Sequence, residues 1–230
     1  MDFNDNEKEA AFRTKVRAFL DQNAIKRAGT NSSEAEAAAP ETVRGKEAQA
    51  KALQDAKDWQ TKKAESGLAA ILWPKEFGGF AGSPIEQVIY QQEEENYFVH
   101  SGYFEIGIGM LGPTLMTWGK EEDKIKYLPK MLTGEEIWCQ LFSEPSAGSD
   151  LAGIKMKAEK DGDEWVLNGQ KVWTSGAHFA DYGMIVARSD PSALKHKGLT
   201  YFFLDMKTPG IEVRPIEQIS GSSNFNEVFF

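Results

Sequence analysis

A change of hydrophobic period near Gly134 limits the fold of this chain more than any other feature. Before it, large apolar residues recur at helical spacing. After it they fall into short β-type runs broken by turn residues. Helices followed by strands, rather than alternating with them, imply an α+β arrangement in two segregated parts, with the boundary near Glu135.

In the first part, residues 5–22 place Phe12, Val16, Phe19 and Leu20 on one helical face. Residues 45–66 predict a second helix, with Leu53, Ala56 and Trp59 towards the core and Gly67 where a C′ glycine belongs. Between them, Ala24–Pro40 is rich in Ser, Ala, Glu and Gly and reads as a solvated loop. Ser83-Pro84 opens a third helix, Ile85, Val88 and Ile89 forming its apolar face and Glu93-Glu94-Glu95 a solvated side. Lys120–Met131 predicts another, with Ile125, Leu128 and Leu132 pointing one way and Thr133-Gly134 ending it.

The second part predicts strands at Trp138–Ser143, Ile154–Lys160, Glu164–Trp173, Tyr182–Arg188, Leu199–Leu204, Ile211–Pro215 and Glu227–Phe230, with Asp161-Gly162-Asp163 as a hairpin turn. The chain stops inside the last apolar strand without a turn or cap, so a fragment is expected.

Within this part, Ile137–Ser175 carries the chemistry. An apolar run through Phe142 breaks into Ser143-Glu144-Pro145-Ser146-Ala147-Gly148-Ser149-Asp150. Small residues at a strand end let backbone N–H groups approach a ligand's oxygens. Farther on, Trp173-Thr174-Ser175 sets an aromatic face beside two hydroxyls.

Charge and composition exclude other classes. A net charge of −9 without a basic stripe argues against a nucleic-acid partner, although local fields can still bind anions. Cys139, the one cysteine, lies in an apolar strand and reads as a buried, inert thiol. His100, His178 and His196 are scattered without ligand spacing, so no metal is expected. The N-terminus lacks the apolar core of a signal peptide, and no run approaches ~18 apolar residues. A soluble, cytoplasmic protein is expected, with an organellar matrix left open.

SEPSAGSD, the following hairpin and NGQKVWTSGAHFADYGMIVARSD together resemble the acyl-CoA dehydrogenase family, whose usual forms are TEP-G-AGSD and NG-K-WITN. The similarity extends through Trp118-Gly119, Tyr127-Leu128-Pro129 and Gly134-Glu135, and through Trp73-Pro74-Lys75-Glu76-Phe77-Gly78-Gly79 to the opening MDFNDNEKEAAFRTKVRAFL. It implies an N-terminal all-α domain (1–134) and an antiparallel β-barrel-like middle domain (135–230), the family's C-terminal helical domain being absent. The enlarged N-terminal region resembles the larger subunits of two-subunit members.

The resemblance also implies an activity: FAD-dependent α,β-desaturation of an acyl-CoA thioester, with hydride transfer to flavin N5. Electron-transfer flavoprotein would be the acceptor, and the assembly a homo- or hetero-tetramer. An oxidase or monooxygenase on the same scaffold, or a non-catalytic partner subunit, are the alternatives. By the same match Trp173 packs on the flavin, while Ser143 and Ser175 bond its polar edge, at positions that are commonly threonine in the family. Gln140, Leu141 and Phe142 bring strand backbone alongside the ring, and Thr174 completes the stretch between Trp173 and Ser175. Gly148 and Ser149 meet the pyrophosphate, with Ser149 also expected on the acyl-CoA. The acyl pocket is expected to draw on Tyr103, Phe104 and Ile106. No residue here is expected to be catalytic, because the family's base comes from the absent domain. Glu144 and Asp150 read as structural, Asp150 as an Asx turn or cap. Ser146 stands where the family has glycine, and so needs a backbone angle open to serine.

Overall fold

The computed structural model describes residues 4–27, 43 and 45–230. The chain divides into two compact units, one of residues 1–108 and 112–135, the other of residues 109–111 and 136–230.

The first unit is helical. Helix α1 (Glu7–Asn23) starts at a capping box in which Asn6 and Glu9 exchange side-chain and backbone bonds. Phe12, Val16 and Leu20, one turn apart, form its buried stripe. Helix α2 (Lys46–Glu65) ends as predicted, with Gly67 at φ 73° and the Leu68 N–H donating to Lys63 O. Helix α3 (Pro84–Glu94) opens on the Ser83/Glu86 capping box with proline at its start. After a π turn (Gly107–Leu111), whose last three residues are counted with the second unit, α4 (Gly112–Trp118) leads to α5 (Glu121–Thr133). Gly134 ends α5 at φ 77°, and a Cβ there would sit 2.9 Å from the Gln60 side chain. The unit is not wholly helical: β1 (Ile25–Lys26) pairs antiparallel with β2 (Tyr97–Phe98). The rest of the expected solvated loop, residues 28–40, lies outside the described residues.

Two expected faces are corrected. Ile85 and Val88 of α3 are exposed, and its buried side is Glu86, Ile89, Tyr90 and Glu93. Those four positions share one helical face, and their carboxylates are held by partners. Glu86 bonds Ser83, and Glu93 accepts from Arg13 Nη1 at 2.8 Å and from Arg17 Nε at 2.7 Å, both on α1. Glu93 is only 6% exposed, so it is not part of a solvated face. Its neighbour Glu94 accepts from Trp59 Nε1 at 2.9 Å and Tyr90 OH at 2.8 Å, which leaves only Glu95 of the three exposed without such a bond. In α5, Leu128 and Leu132 face inward as expected, but Ile125 is exposed.

The second unit holds two sheets. In the larger, β7 (Tyr182–Arg188) pairs along one edge with β8 (Leu199–Asp205), antiparallel. Along its other edge lie β3 (Trp138–Leu141) at the start and β4 (Lys157–Asp161) at the end, both parallel to β7. The connection between β3 and β4 is therefore extruded from the sheet, and it contains the SEPSAGSD stretch. Strand β4 turns through Gly162-Asp163 into β5 (Glu164–Asn168). At Gly169 the chain changes sheets, so the single strand expected at Glu164–Trp173 is two. A Cβ at Gly169 would lie 2.8 Å from the Met156 side chain. The smaller sheet has the order β6 (Gln170–Ser175), β10 (Phe225–Phe229), β9 (Glu212–Ile216), all antiparallel. The α+β class holds, with antiparallel pairs in the majority and strands divided between two sheets. Cys139, Leu141, Met156, Ile185, Ala187 and Val228 form the core between these strands.

Candidate functional site

Strand β6 pairs with β10 in regular register except at one point. Thr174 faces Asn226 and Lys171 faces Val228, so Val172 and Trp173 together oppose Glu227. This is a β-bulge, the device that re-aims a side chain out of a sheet. Trp173 sits in it at φ 59°, a left-handed conformation that costs an L-residue about 1–2 kcal/mol. The indole is 60% exposed, touching Phe225 edge-on with centroids 6.3 Å apart. Strained backbone of this kind clusters at ligand-binding sites, which makes Trp173 a candidate contact.

Ser143 is tied to the bulge. Its carbonyl accepts the Val172 N–H at 2.9 Å, so the end of β3 runs beside the residue preceding Trp173. Ser143 is half-buried and Ser175 exposed. Thr174 points the other way: it is 1% exposed, and its hydroxyl has no hydrogen-bond partner among the described residues. Its carbonyl accepts from Asn226 Nδ2 at 2.9 Å, and Asn226 Oδ1 lies 3.2 Å from His178 Nδ1.

The SEPSAGSD loop leaves β3 with an exposed tip: Pro145, Ser146, Gly148, Ser149 and Asp150 are all open to solvent. Glu144 and Ala147 close it with reciprocal backbone bonds of 2.8 and 3.0 Å. Ser146 needs no left-handed angle, so serine is accommodated without strain. Gly148 has neither a positive φ nor a neighbour within 4 Å of an added Cβ, so nothing in the fold requires glycine there. Asp150 precedes the 3₁₀ turn Leu151–Gly153 and caps it through its carbonyl, not its side chain.

Sequence reasoning placed the loop but missed what holds it. Lys171 is completely buried, and Nζ donates to Phe142 O at 3.0 Å, Glu144 Oε1 at 2.9 Å and Val186 O at 2.8 Å. Burial lowers the pKa of this ammonium, and the Glu144 bond opposes the shift. Glu144 also accepts the Lys155 N–H at 2.7 Å and the Met156 N–H at 3.0 Å. Its role is structural, since both oxygens are occupied. Strand alternation gave no signal for it: two residues before the exposed Trp173, Lys171 would share its outward face in a regular strand, and the bulge between them turns it inward.

The other candidates divide by burial. Leu141 lies in the core and could offer only backbone, whereas Gln140 and Phe142 are half-buried. In the helical unit Tyr103 and Phe104 are buried, leaving Ile106 partly exposed. Cys139 is buried against Met206, Sγ to Sδ 3.9 Å, and desolvation pushes its thiol up to about 12.

Comparison with known proteins agrees with this architecture. Residues 6–135 match the model of the acyl-CoA dehydrogenase N-terminal domain, and residues 139–230 that of the middle domain. The acyl-CoA dehydrogenase IpdE1 of Mycobacterium tuberculosis is 38% identical over 219 residues, covering 95% of this chain and 54% of IpdE1. FadE34 of the same organism, also an acyl-CoA dehydrogenase, is 44% identical over 215 residues, covering 94% of this chain and 30% of FadE34. Among solved structures, the Tcur3481-Tcur3483 steroid ACAD superposes with a TM-score of 0.79 at 30% identity, covering all of this chain and 56% of the other. The chain thus spans about half the length of IpdE1, and less of FadE34. From Asn6 to Phe230 it has the helical and middle domains of one family, and it belongs to the acyl-CoA dehydrogenases.

Proposed function

We propose that this chain supplies the N-terminal and middle domains, residues 1–134 and 135–230, of an FAD-dependent enzyme that desaturates an acyl-CoA thioester between its α and β carbons. The observation that supports it best is Trp173, a strained and exposed indole beside two serines, in the unit that matches the family's middle domain. The residues present fit a flavin. Trp173 offers a flat face, worth roughly 0.5–1.5 kcal/mol beyond area burial when stacked on a ring. Ser143 and Ser175 offer hydroxyl donors beside it, and Gln140 and Phe142 offer half-exposed strand. Leu141 and Thr174, buried as they are, contribute through backbone. Gly148 and Ser149 at the open tip take the phosphate-bearing arms, Ser149 being the contact to acyl-CoA. When bound, FAD accepts the hydride.

The chain's own residues bind and orient. Glu144 cannot serve as the base, because Lys171 and two amides occupy its carboxylate. The base comes from a C-terminal domain in this reading. Because the solved relative carries two component names and is a steroid ACAD, we include a two-subunit assembly and a bulky polycyclic acyl group in the proposal. Electron-transfer flavoprotein is the proposed acceptor.

The test is an absorbance spectrum of the whole protein, taken anaerobically before and after addition of short, branched and steroid-side-chain acyl-CoA thioesters. A flavin band that bleaches with one thioester is the expected result and names the substrate class. A band that never bleaches, with or without a co-purified second subunit, refutes the dehydrogenase reading. Absence of flavin refutes the cofactor.

A further inference from the structure

The loop between β3 and β4 combines a solvent-exposed tip with an unusually well-bonded base. Three N–H groups of Lys171 meet three acceptors, Phe142 O, Glu144 Oε1 and Val186 O. Phe142 and Glu144 begin the loop, and Val186 is on β7, so the ammonium fastens the loop's start to the larger sheet. Glu144 then reaches across the loop to the Lys155 and Met156 amides, where the chain returns towards β4. A second cation fastens that return. Arg188, at the end of β7, donates from Nη2 to Ala152 O at 2.7 Å and from Nε to Ile154 O at 3.1 Å, with Nη1 on Lys195 O at 3.2 Å.

A buried ion pair is a poor stabilising device, since apolar residues of similar volume often do as well or better. What an apolar pair could not do is bond two carbonyls and two amides of separate segments at once. The same lysine is the residue before Val172, whose N–H holds Ser143 O. Both candidate flavin-contacting stretches, 143–149 and 173–175, are therefore referred to one buried ammonium.

We propose that Lys171 and Arg188 are positioning residues that clamp the two ends of the loop, so that its exposed tip and Trp173 meet a bound flavin nucleotide in a fixed relative geometry. This rests on the flavin reading above. Neither residue touches the nucleotide in this proposal; each acts through backbone it holds. The clamp differs from ordinary core packing in being local: it ties carbonyls and amides of the loop, whereas the β7–β8 ladder has its own seven-residue register.

The experiment replaces Lys171→Met in the whole protein and follows backbone amide exchange in the flavin-free form alongside FAD titration. The expected result is tenfold or faster exchange at Lys155, Met156 and Val172, unchanged exchange through residues 182–187, and an FAD dissociation constant raised at least tenfold. Acceleration spread evenly over the unit would make Lys171 a general core residue and overturn the proposal. So would unchanged exchange, or a loosened loop with unaltered FAD affinity. If Lys171→Met fails to fold, Arg188→Gln serves, because its side chain is only partly buried; faster exchange confined to 150–156 with weakened FAD binding is expected, and a uniform change or none overturns the clamp. A wild-type protein that takes up no FAD sinks the flavin reading, while the exchange pattern still decides whether the clamp exists.

Discussion

Replacing Trp173 separately by alanine and by glycine isolates the backbone strain at the bulge. Both variants lose the indole and its contact with Phe225, so those losses cancel in the comparison. What differs is the backbone. At φ 59° an L-residue bears about 1–2 kcal/mol that glycine does not. Glycine's greater freedom in the unfolded chain costs it about 0.5–1 kcal/mol. Trp173→Gly should therefore be as stable as Trp173→Ala or more stable, by up to about 1.5 kcal/mol. At an ordinary extended strand position the order reverses, with glycine worse by about 0.5–1 kcal/mol. Denaturant unfolding of the flavin-free whole protein, read in the transition that includes the second unit, gives the sign. Both variants should also bind FAD more weakly, by about 2- to 12-fold if only the stacking increment is lost. If Trp173→Gly is less stable than Trp173→Ala by about 0.5 kcal/mol or more, the tryptophan is not held left-handed and the strain argument fails.

Further outcomes test other parts of the structure. Thr174→Val removes a buried hydroxyl without a partner among the described residues and should raise the unfolding free energy, by about 1–3 kcal/mol at most, with FAD affinity unchanged; weakened FAD binding would show that the hydroxyl meets the ligand. Burial alone would raise the Glu93 carboxyl, but bonds from Arg17 and Arg13 outweigh it and the pKa is lowered. A depressed carboxylate contributes its stability above the unfolded value of about 4.3 and loses it as pH falls through the folded pKa. The first unit should accordingly weaken below about pH 4.3, and Glu93→Gln should flatten that slope; an unaltered slope would place the acid sensitivity elsewhere. With its thiol raised to about 12 and buried, Cys139 should react with a maleimide only on the unfolding timescale, and rapid labelling of the native protein would contradict that burial.

Much of this architecture could be read from residue type and spacing because it rests on local chemistry. The Ser83-Pro84 start, the Gly67 and Gly134 stops and strand Tyr182–Arg188 each follow from a few adjacent residues, and the structure places them as read. The misses share another cause. Ile85 and Val88 were assigned inward because they are apolar, and Glu93 outward because it is charged. Yet positions 86, 89, 90 and 93 form the buried face, and arginines on α1 make burial of the carboxylate tolerable. Periodicity identifies a face without saying which partners await it. Likewise Gly169 reads as one glycine in a long strand, and only the second sheet, with the Met156 side chain where a Cβ would go, makes it a corner.

The same limit governs the candidate site. Ser143, Gly148, Ser149, Trp173 and Ser175 were named through the resemblance of SEPSAGSD and NGQKVWTSG to the family's motifs, since small hydroxylated residues at a strand end are ordinary on their own. Lys171 and Arg188 were not, since a lysine or arginine in a polar strand ordinarily belongs to solvent. Their importance lies in bonds to carbonyls of residues 15 to 36 positions away, which no local pattern encodes. In the proposed reading, the visible residues are those offered to a ligand, and the hidden ones are those that fix where the offer is made. A substitution in the first set should change what binds; one in the second should change how well every member of the first set binds together. Measured coupling between Lys171→Met and each of Ser143→Ala and Trp173→Ala in FAD affinity would therefore be large, because one ammonium holds both segments. Additive losses would instead mean that the two segments are positioned independently.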